Sequence, residues 1–196
     1  MASLRGILCL LALMALLAPH AEAAMPLYEQ SGGFVASAGT CTPTMPATIN
    51  ADDILLAVGE SENETISLST PNGFVEVTNS PQSAGTAATD PANRIAVFWK
   101  RAVGGDSAPV FADSGNHTTC HVHRFSGVKT SGDPWNITSG GNDGGANDTS
   151  AVIPGATTTA ADVLVVLVQG TSFNGTSSAE CGAATNADLA SITERT

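Results

Sequence analysis

The sequence predicts an all-β protein, a single antiparallel β-sandwich of jelly-roll type that follows a cleaved N-terminal signal peptide. Two observations carry this prediction. The apolar runs are short, and segments rich in Gly, Pro, Asn and Asp separate them, which is the pattern of strands joined by turns. The composition disfavours long helices, with 20 Gly and 10 Pro against only 7 Lys and Arg in 196 residues, and no amphipathic helical period is present.

The first 23 residues have the three parts of a secretory signal peptide. Arg5 supplies positive charge, residues 7–18 form an unbroken apolar run, and residues 21–23 (AEA) form a small-x-small cleavage site. The run is shorter than the roughly 20 residues that a membrane-spanning helix needs. We therefore expect cleavage before Ala24, a product that is secreted or lies at the cell surface, and no membrane insertion of the mature chain.

The remaining chain, residues 24–196, has the length of one domain with a useful core. The sequence contains 7 Lys and Arg against 18 Asp and Glu, a net charge of −11. Loss of Arg5 and Glu22 with the signal peptide leaves that charge unchanged. Because such a field repels nucleic-acid phosphate and anionic lipid, we expect neither as a partner.

Apolar segments mark the predicted strands. They are residues 54–58, 74–77, 94–99, 109–111, 120–125 and 162–168. The segment 74–77 (FVEV) alternates, as a strand with one solvated face does. The runs 54–58 (ILLAV) and 162–168 (DVLVVLV) do not alternate, so we predict that both are central strands, buried on both faces or bent by a bulge.

Three cysteines remain after cleavage: Cys41, Cys120 and Cys181. In an exported protein we expect one disulfide among them and one thiol left over, and the sequence leaves the pairing open. Five Asn-x-Thr triplets also fit the N-glycosylation pattern, where composition alone accounts for about two. Their asparagines are Asn63, Asn116, Asn136, Asn147 and Asn174. In a host that glycosylates asparagine these positions mark solvent-facing loops.

The segment HTTCHVHRF, residues 117–125, contains three of the four histidines. His121 and His123 lie on the same face of a strand, and together with His117 they supply three imidazoles, as a catalytic zinc site requires. The alternative is a framework strand whose apolar residues point inward and whose histidines lie on a partly covered face. Because the segment contains no Asp or Glu, we favour the framework strand and expect no cofactor.

The other candidate sites have weaker signals. No Gly-x-Ser-x-Gly elbow is present for a Ser-His-Asp triad, and the loop 142–148 lacks the EF-hand spacing for calcium. Trp135 follows a proline in a predicted loop, where an exposed indole would stack on a sugar ring as a glycan contact. Burial of the same side chain as a loop anchor is the commoner arrangement.

The order of the segments resembles the β-sandwich modules of bacteriophage tail and minor virion proteins and of secreted bacterial surface proteins. The resemblance covers Cys41 to Val168 and is carried by the successive motifs ADDILLAV, STPNGFVEV, RIAVFWKRAVGGDSAPVFADSGN, HVHRFSGV and TTAADVLVVLV. It implies a sandwich fold in a structural or adhesive setting and no reaction. Phage tail proteins carry no signal peptide, however, and similar modules continue beyond the position of Thr196 into further strands.

An unpaired sheet edge follows if closing strands are missing, and such an edge recruits another strand. The segment 27–37 is a candidate donor to its own sheet or to a neighbour's. Truncation at the C-terminus and self-association by strand addition both fit this pattern.

The sequence as a whole leads us to expect a non-enzymatic module with surface protein or glycan partners. The alternative is a secreted metal-dependent or hydrolytic enzyme that uses His117, His121 and His123.

Overall fold

The structure is a computed structural model that describes residues 25–89, 92–115, 117–142 and 152–170, together with Leu189 and Thr193. Throughout these residues the regular elements are strands and no helix occurs, so the all-β prediction is confirmed. It follows that the described part of the chain contains no helix long and apolar enough to cross a membrane. The predicted signal peptide, residues 1–23, lies outside the described residues.

Nine strands follow one another in the described part of the chain. They are β1 (Leu27–Ser31), β2 (Val35–Ser37), β3 (Ile54–Ser61), β4 (Leu68–Thr70), β5 (Val75–Glu76), β6 (Gln82–Ala84), β7 (Asn93–Arg101), β8 (Val110–Phe111) and β9 (Thr118–Ser126).

Seven of the strands form one antiparallel sheet in the order β1-β9-β3-β7-β5, with β2 also beside β9 and β6 also beside β7. The three long strands pair along the whole of β3, so that Leu56 lies between Trp99 of β7 and His123 of β9. Strands β4 and β8 form a separate two-stranded ribbon. All five residues of the predicted central run 54–58 are buried, which confirms that this run is a central strand.

One face of the large sheet carries the main core, and we call it the disulfide face. Its buried sheet residues are Leu55, Ala57, Ala96, Phe98, Cys120 and Val122. The ribbon lies over this face through Phe111, whose ring centroid is 5.7 Å from that of Phe98. A Cβ at Gly59 would lie 2.4 Å from the Phe111 ring. The glycine in β3 is therefore required by the packing of the ribbon against the sheet.

A disulfide joins Cys41 to Cys120, with both residues fully or almost fully buried. Cys41 also exchanges two backbone hydrogen bonds with Phe111, at 3.1 and 2.8 Å. The disulfide therefore fastens the segment before β3 to β9, and the two hydrogen bonds fasten the same segment to the ribbon. Of the pairings that the sequence left open, this is the one that forms, and Cys181 lies outside the described residues.

The opposite face, which we call the histidine face, carries a smaller apolar cluster. Its core is Ile54, Leu56 and Phe125, packed against Tyr28, Val97, Trp99, Val128 and Trp135. The alternation of β9 assigns His121 and His123 to this face and Val122 to the other. The residues of β9 therefore lie as the framework-strand interpretation expects.

The segment 27–37 pairs with its own sheet, as one of its two predicted roles requires. It forms β1 and β2 along β9, interrupted by residues 32–34. At the break, the Gly32 amide donates to the Val122 carbonyl at 2.7 Å, and a Cβ on Gly32 would lie 1.7 Å from the Thr44 carbonyl oxygen. The two glycines of the segment therefore let one edge follow the full length of β9 in two pieces.

A buried arginine ties this edge to the rest of the molecule. Arg124 of β9 lies 3.3 Å from the Asp53 carboxylate and 3.2 Å from that of Glu29. It also donates to the Thr48 carbonyl at 2.9 Å. Because Asp53 is buried, its charge depends on Arg124 for compensation.

The prediction of a central strand at 162–168 is wrong. These residues form no ladder, and the side chains of residues 163–167 are 36–50% exposed. The three long strands already have neighbours on both sides: β3 lies between β9 and β7, β9 lies between β3 and the pair β1 and β2, and β7 lies between β3 and the pair β5 and β6. None of them leaves a central position for the run 162–168. A β-branched run favours a strand only where a neighbour offers unpaired backbone groups.

Candidate functional site

The two histidines of β9 converge on the histidine face. The Nε2 atoms of His121 and His123 are 2.7 Å apart, with ring centroids 4.1 Å apart and ring planes at 80°. Residues two apart on a strand are separated by about 6.6 Å along the backbone, so the side chains lean toward each other. At 2.7 Å, one imidazole donates its Nε2–H to the Nε2 lone pair of the other.

Apolar and aromatic groups surround the pair. The ring centroid of Tyr28 lies 6.1 Å from that of His123, and the ring centroid of Phe34 lies 6.2 Å from that of His121. On the other side, β3 places Leu56 opposite one histidine and Val58 opposite the other. Both imidazoles are therefore partly withdrawn from water, with the largely exposed Phe34 at the border with solvent.

This setting lowers the pKa of both imidazoles. Burial lowers the pKa of His121. Burial, and secondarily the repulsion from a charged His121, lower the pKa of His123 to about 4. Both rings are consequently neutral at neutral pH, and the pair is able to share one hydrogen bond without a net charge.

The third histidine of the segment does not join them. His117 is exposed and precedes β9, and four residues of extended chain separate it from His121, a distance of about 13 Å. Across the described ranges no three His, Cys, Asp or Glu side chains are grouped closely enough to hold a metal ion. The structure thus brings together two of the three predicted imidazoles.

Trp135 lies on the histidine face as a loop anchor. Its side chain is partly buried, its ring meets that of Trp99 edge-on with 5.9 Å between centroids, and its backbone amide donates to Asp133 at 3.0 Å. These contacts are those of a partly buried loop anchor, which is the commoner of the two arrangements expected for Trp135.

Two of the five sequon asparagines are described. Asn63 is partly buried at φ 61°, donates to the Gly85 carbonyl at 2.7 Å and accepts from Arg94 at 3.1 Å. Asn136 is exposed and bonds the hydroxyl and the amide of Thr159. Asn116, Asn147 and Asn174 lie outside the described residues.

The segment 162–168, which we call the apolar segment, is a surface feature that the sequence did not predict. Near its N-terminal end, Thr159 bonds Asn136 at 2.8 and 3.1 Å. Beyond its C-terminal end, Gly170 lies so close to Asn93 of β7 that a Cβ would be 2.8 Å from its side-chain oxygen. The apolar segment therefore lies between a contact with the loop residue Asn136 and a close approach to β7, and its side chains face solvent.

Sequence reasoning missed the aromatic rings beside the histidines. Tyr28 and Phe34 lie about 90 residues away in the chain and reach the pair through the register of β1 and the break before β2.

Comparison of the chain with protein-family models, with curated proteins and with solved structures gives no match.

Proposed function

We propose that the protein is a secreted or surface-exposed, non-enzymatic β-sandwich module with a structural or adhesive role and with surface proteins or glycans as partners. The observation that carries this proposal is the apolar segment, in which the five consecutive side chains 163–167 are exposed. Contiguous exposed apolar surface on a soluble protein marks an interaction site.

The chemistry of the apolar segment favours a β-strand partner. Four of its residues are valines, which prefer strands, and its backbone takes part in no ladder. A second extended chain would satisfy the backbone hydrogen bonds and cover the valines in one step, as in strand addition. A second copy of the protein is one such partner, although the charge of −11 on each chain opposes its approach at low salt.

Two further points support the finer parts of the proposal. The Cys41–Cys120 disulfide is typical of an oxidising compartment, which agrees with export by a signal peptide at residues 1–23. The ribbon of β4 and β8 over the disulfide face has the position of the second layer that a jelly-roll sandwich needs. The resemblance of the motifs to virion and surface modules points to the same setting.

The alternative is a secreted metal-dependent or hydrolytic enzyme that uses His117, His121 and His123. One observation favours it, the convergence of two of the three rings. A catalytic zinc holds three protein ligands and an open position, and the exposed His117 is not part of the pair.

Sedimentation velocity across a range of salt and protein concentrations tests strand addition between copies. We expect association of the unmodified chain to grow as salt screens the negative charge. The variant Val165→Lys places a charge inside the apolar segment and should remain monomeric. Val152→Lys is the matched control, because Val152 is more exposed and lies outside the segment, and it should associate like the unmodified chain.

A monodisperse monomer under all of these conditions would rule out assembly of the chain with itself through the apolar segment. Equal loss of association in Val165→Lys and Val152→Lys would show that added charge, and not the segment, is responsible.

A further inference from the structure

We propose that His121 and His123 form a two-imidazole binding site for a divalent transition-metal ion, with copper(II) as the ion that the geometry fits best. This site is independent of the proposed role of the apolar segment. It is carried by the convergence of two ring nitrogens on one face of the central sheet.

The separation of the two nitrogens fits a metal chelate. For metal–nitrogen bonds of about 2.0 Å, two ligands at 90° lie about 2.8 Å apart, and two at the tetrahedral angle lie about 3.3 Å apart. The Nε2 atoms are 2.7 Å apart. The separation therefore matches ligands at right angles, as in the tetragonal geometry of copper(II), once each ring turns so that its lone pair leaves the line between the two nitrogens. Tetrahedral zinc requires the nitrogens to move apart by about 0.6 Å as well.

The protonation state of the pair also suits a metal. Each neutral imidazole has one ring nitrogen that carries a hydrogen and one that carries a lone pair, and either nitrogen can be the metal ligand. The ring that donates the Nε2–H needs only to move that proton to its own Nδ1. Both Nε2 lone pairs are then available, and a small rotation of each ring turns them toward one ion. Imidazole nitrogen has its highest affinity among first-row divalent ions for copper(II).

The surroundings define what the bound ion would do. Because no third His, Cys, Asp or Glu of the described ranges joins the pair, the remaining coordination positions would be filled by water or by a ligand from outside. Phe34 is 64% exposed beside His121, so the site is at the surface. The net charge of −11 raises the local concentration of cations.

The test uses the full chain, freed of metal with EDTA and titrated with copper(II) against glycine as a competing chelator. We expect one ion per chain, with an electron paramagnetic resonance spectrum that shows two coupled nitrogens. The variants His121→Phe and His123→Phe retain an aromatic ring but lose the nitrogen, and each should weaken binding about tenfold or more. His117→Asn is the control and should change the affinity by less than twofold.

A second measurement keeps the proposal testable if a phenylalanine variant does not fold. In the unmodified chain, a tenth of an equivalent of copper(II) should broaden the ring proton resonances of His121 and His123 before those of His117. Broadening that begins at His117 would overturn the proposal. So would an unmodified chain that binds copper(II) no more tightly than the folded double variant His121→Phe/His123→Phe.

Discussion

At the scale of single residues, the molecule depends on positions where one atom decides the packing. Gly59 is the clearest case, since a Cβ there would overlap the Phe111 ring and the ribbon could not approach the disulfide face. His121 and His123 are a second case, because their rings share one hydrogen bond inside a largely apolar setting. Glycine within an apolar strand signals close approach in the sequence, but only the structure identifies the group that approaches.

Acid should destabilise the metal-free protein through the histidine pair. The folded-state pKa of His123 is lowered to about 4, below the value of about 6.5 expected in the unfolded chain. The unfolded chain therefore takes up a proton first as the pH falls. The stabilising contribution is complete above about pH 6.5, is lost progressively down to about pH 4 and is constant below that value.

We expect this loss to reach at most about 3 kcal/mol for His123, reduced by the partial contact of the ring with water. Urea unfolding in EDTA at a series of pH values measures it. His123→Phe should flatten the pH dependence, and His117→Asn should leave it unchanged. An equal slope between pH 6.5 and 4 in all three proteins would contradict the assignment.

At the scale of elements, the three long strands show how far periodicity predicts structure. The alternation of β9 correctly separates Val122 from the two histidines, and the unbroken run of β3 correctly predicts burial on both faces. The same rule fails for the apolar segment, whose run is equally apolar. Local pattern indicates that a segment is suited to be a strand, whereas the free edges of the other strands decide whether it becomes one.

Arg124 of β9 links Glu29 of β1 to Asp53, the residue before β3, and provides a test of this edge of the sheet. Arg124→Ala should destabilise the fold by about 3–5 kcal/mol, because it leaves the buried Asp53 carboxylate without its counter-charge. Urea unfolding at neutral pH measures this loss. Adding Asp53→Asn to Arg124→Ala should recover part of the stability, since the uncompensated charge is then gone. If the double variant loses as much unfolding free energy as Arg124→Ala and Asp53→Asn lose together as single variants, the ion pair does not account for the destabilisation by Arg124→Ala.

At the scale of the whole molecule, one covalent bond joins distant parts of the chain. Cys41 and Cys120 are 79 residues apart, and their bond encloses β3 to β8. We expect Cys41→Ser/Cys120→Ser to lower the free energy of unfolding by about 4 kcal/mol, from loop-closure entropy alone. Denaturant unfolding of the unmodified chain, with and without reductant, provides the comparison. Cys181→Ser is the control and should unfold like the unmodified chain.

Local sequence patterns correctly predict the all-β class, the position of five of the six predicted strands in whole or in part, and the common face of His121 and His123. These features follow from composition and from the two-residue period of a strand, which are local properties. Three other features could be read only from the folded molecule: the pairing of Cys41, the exposure of the apolar segment and the convergence of the two imidazoles. Each of these depends on which distant segment lies alongside, and the order of strands in a sheet is not encoded in the period of any one of them.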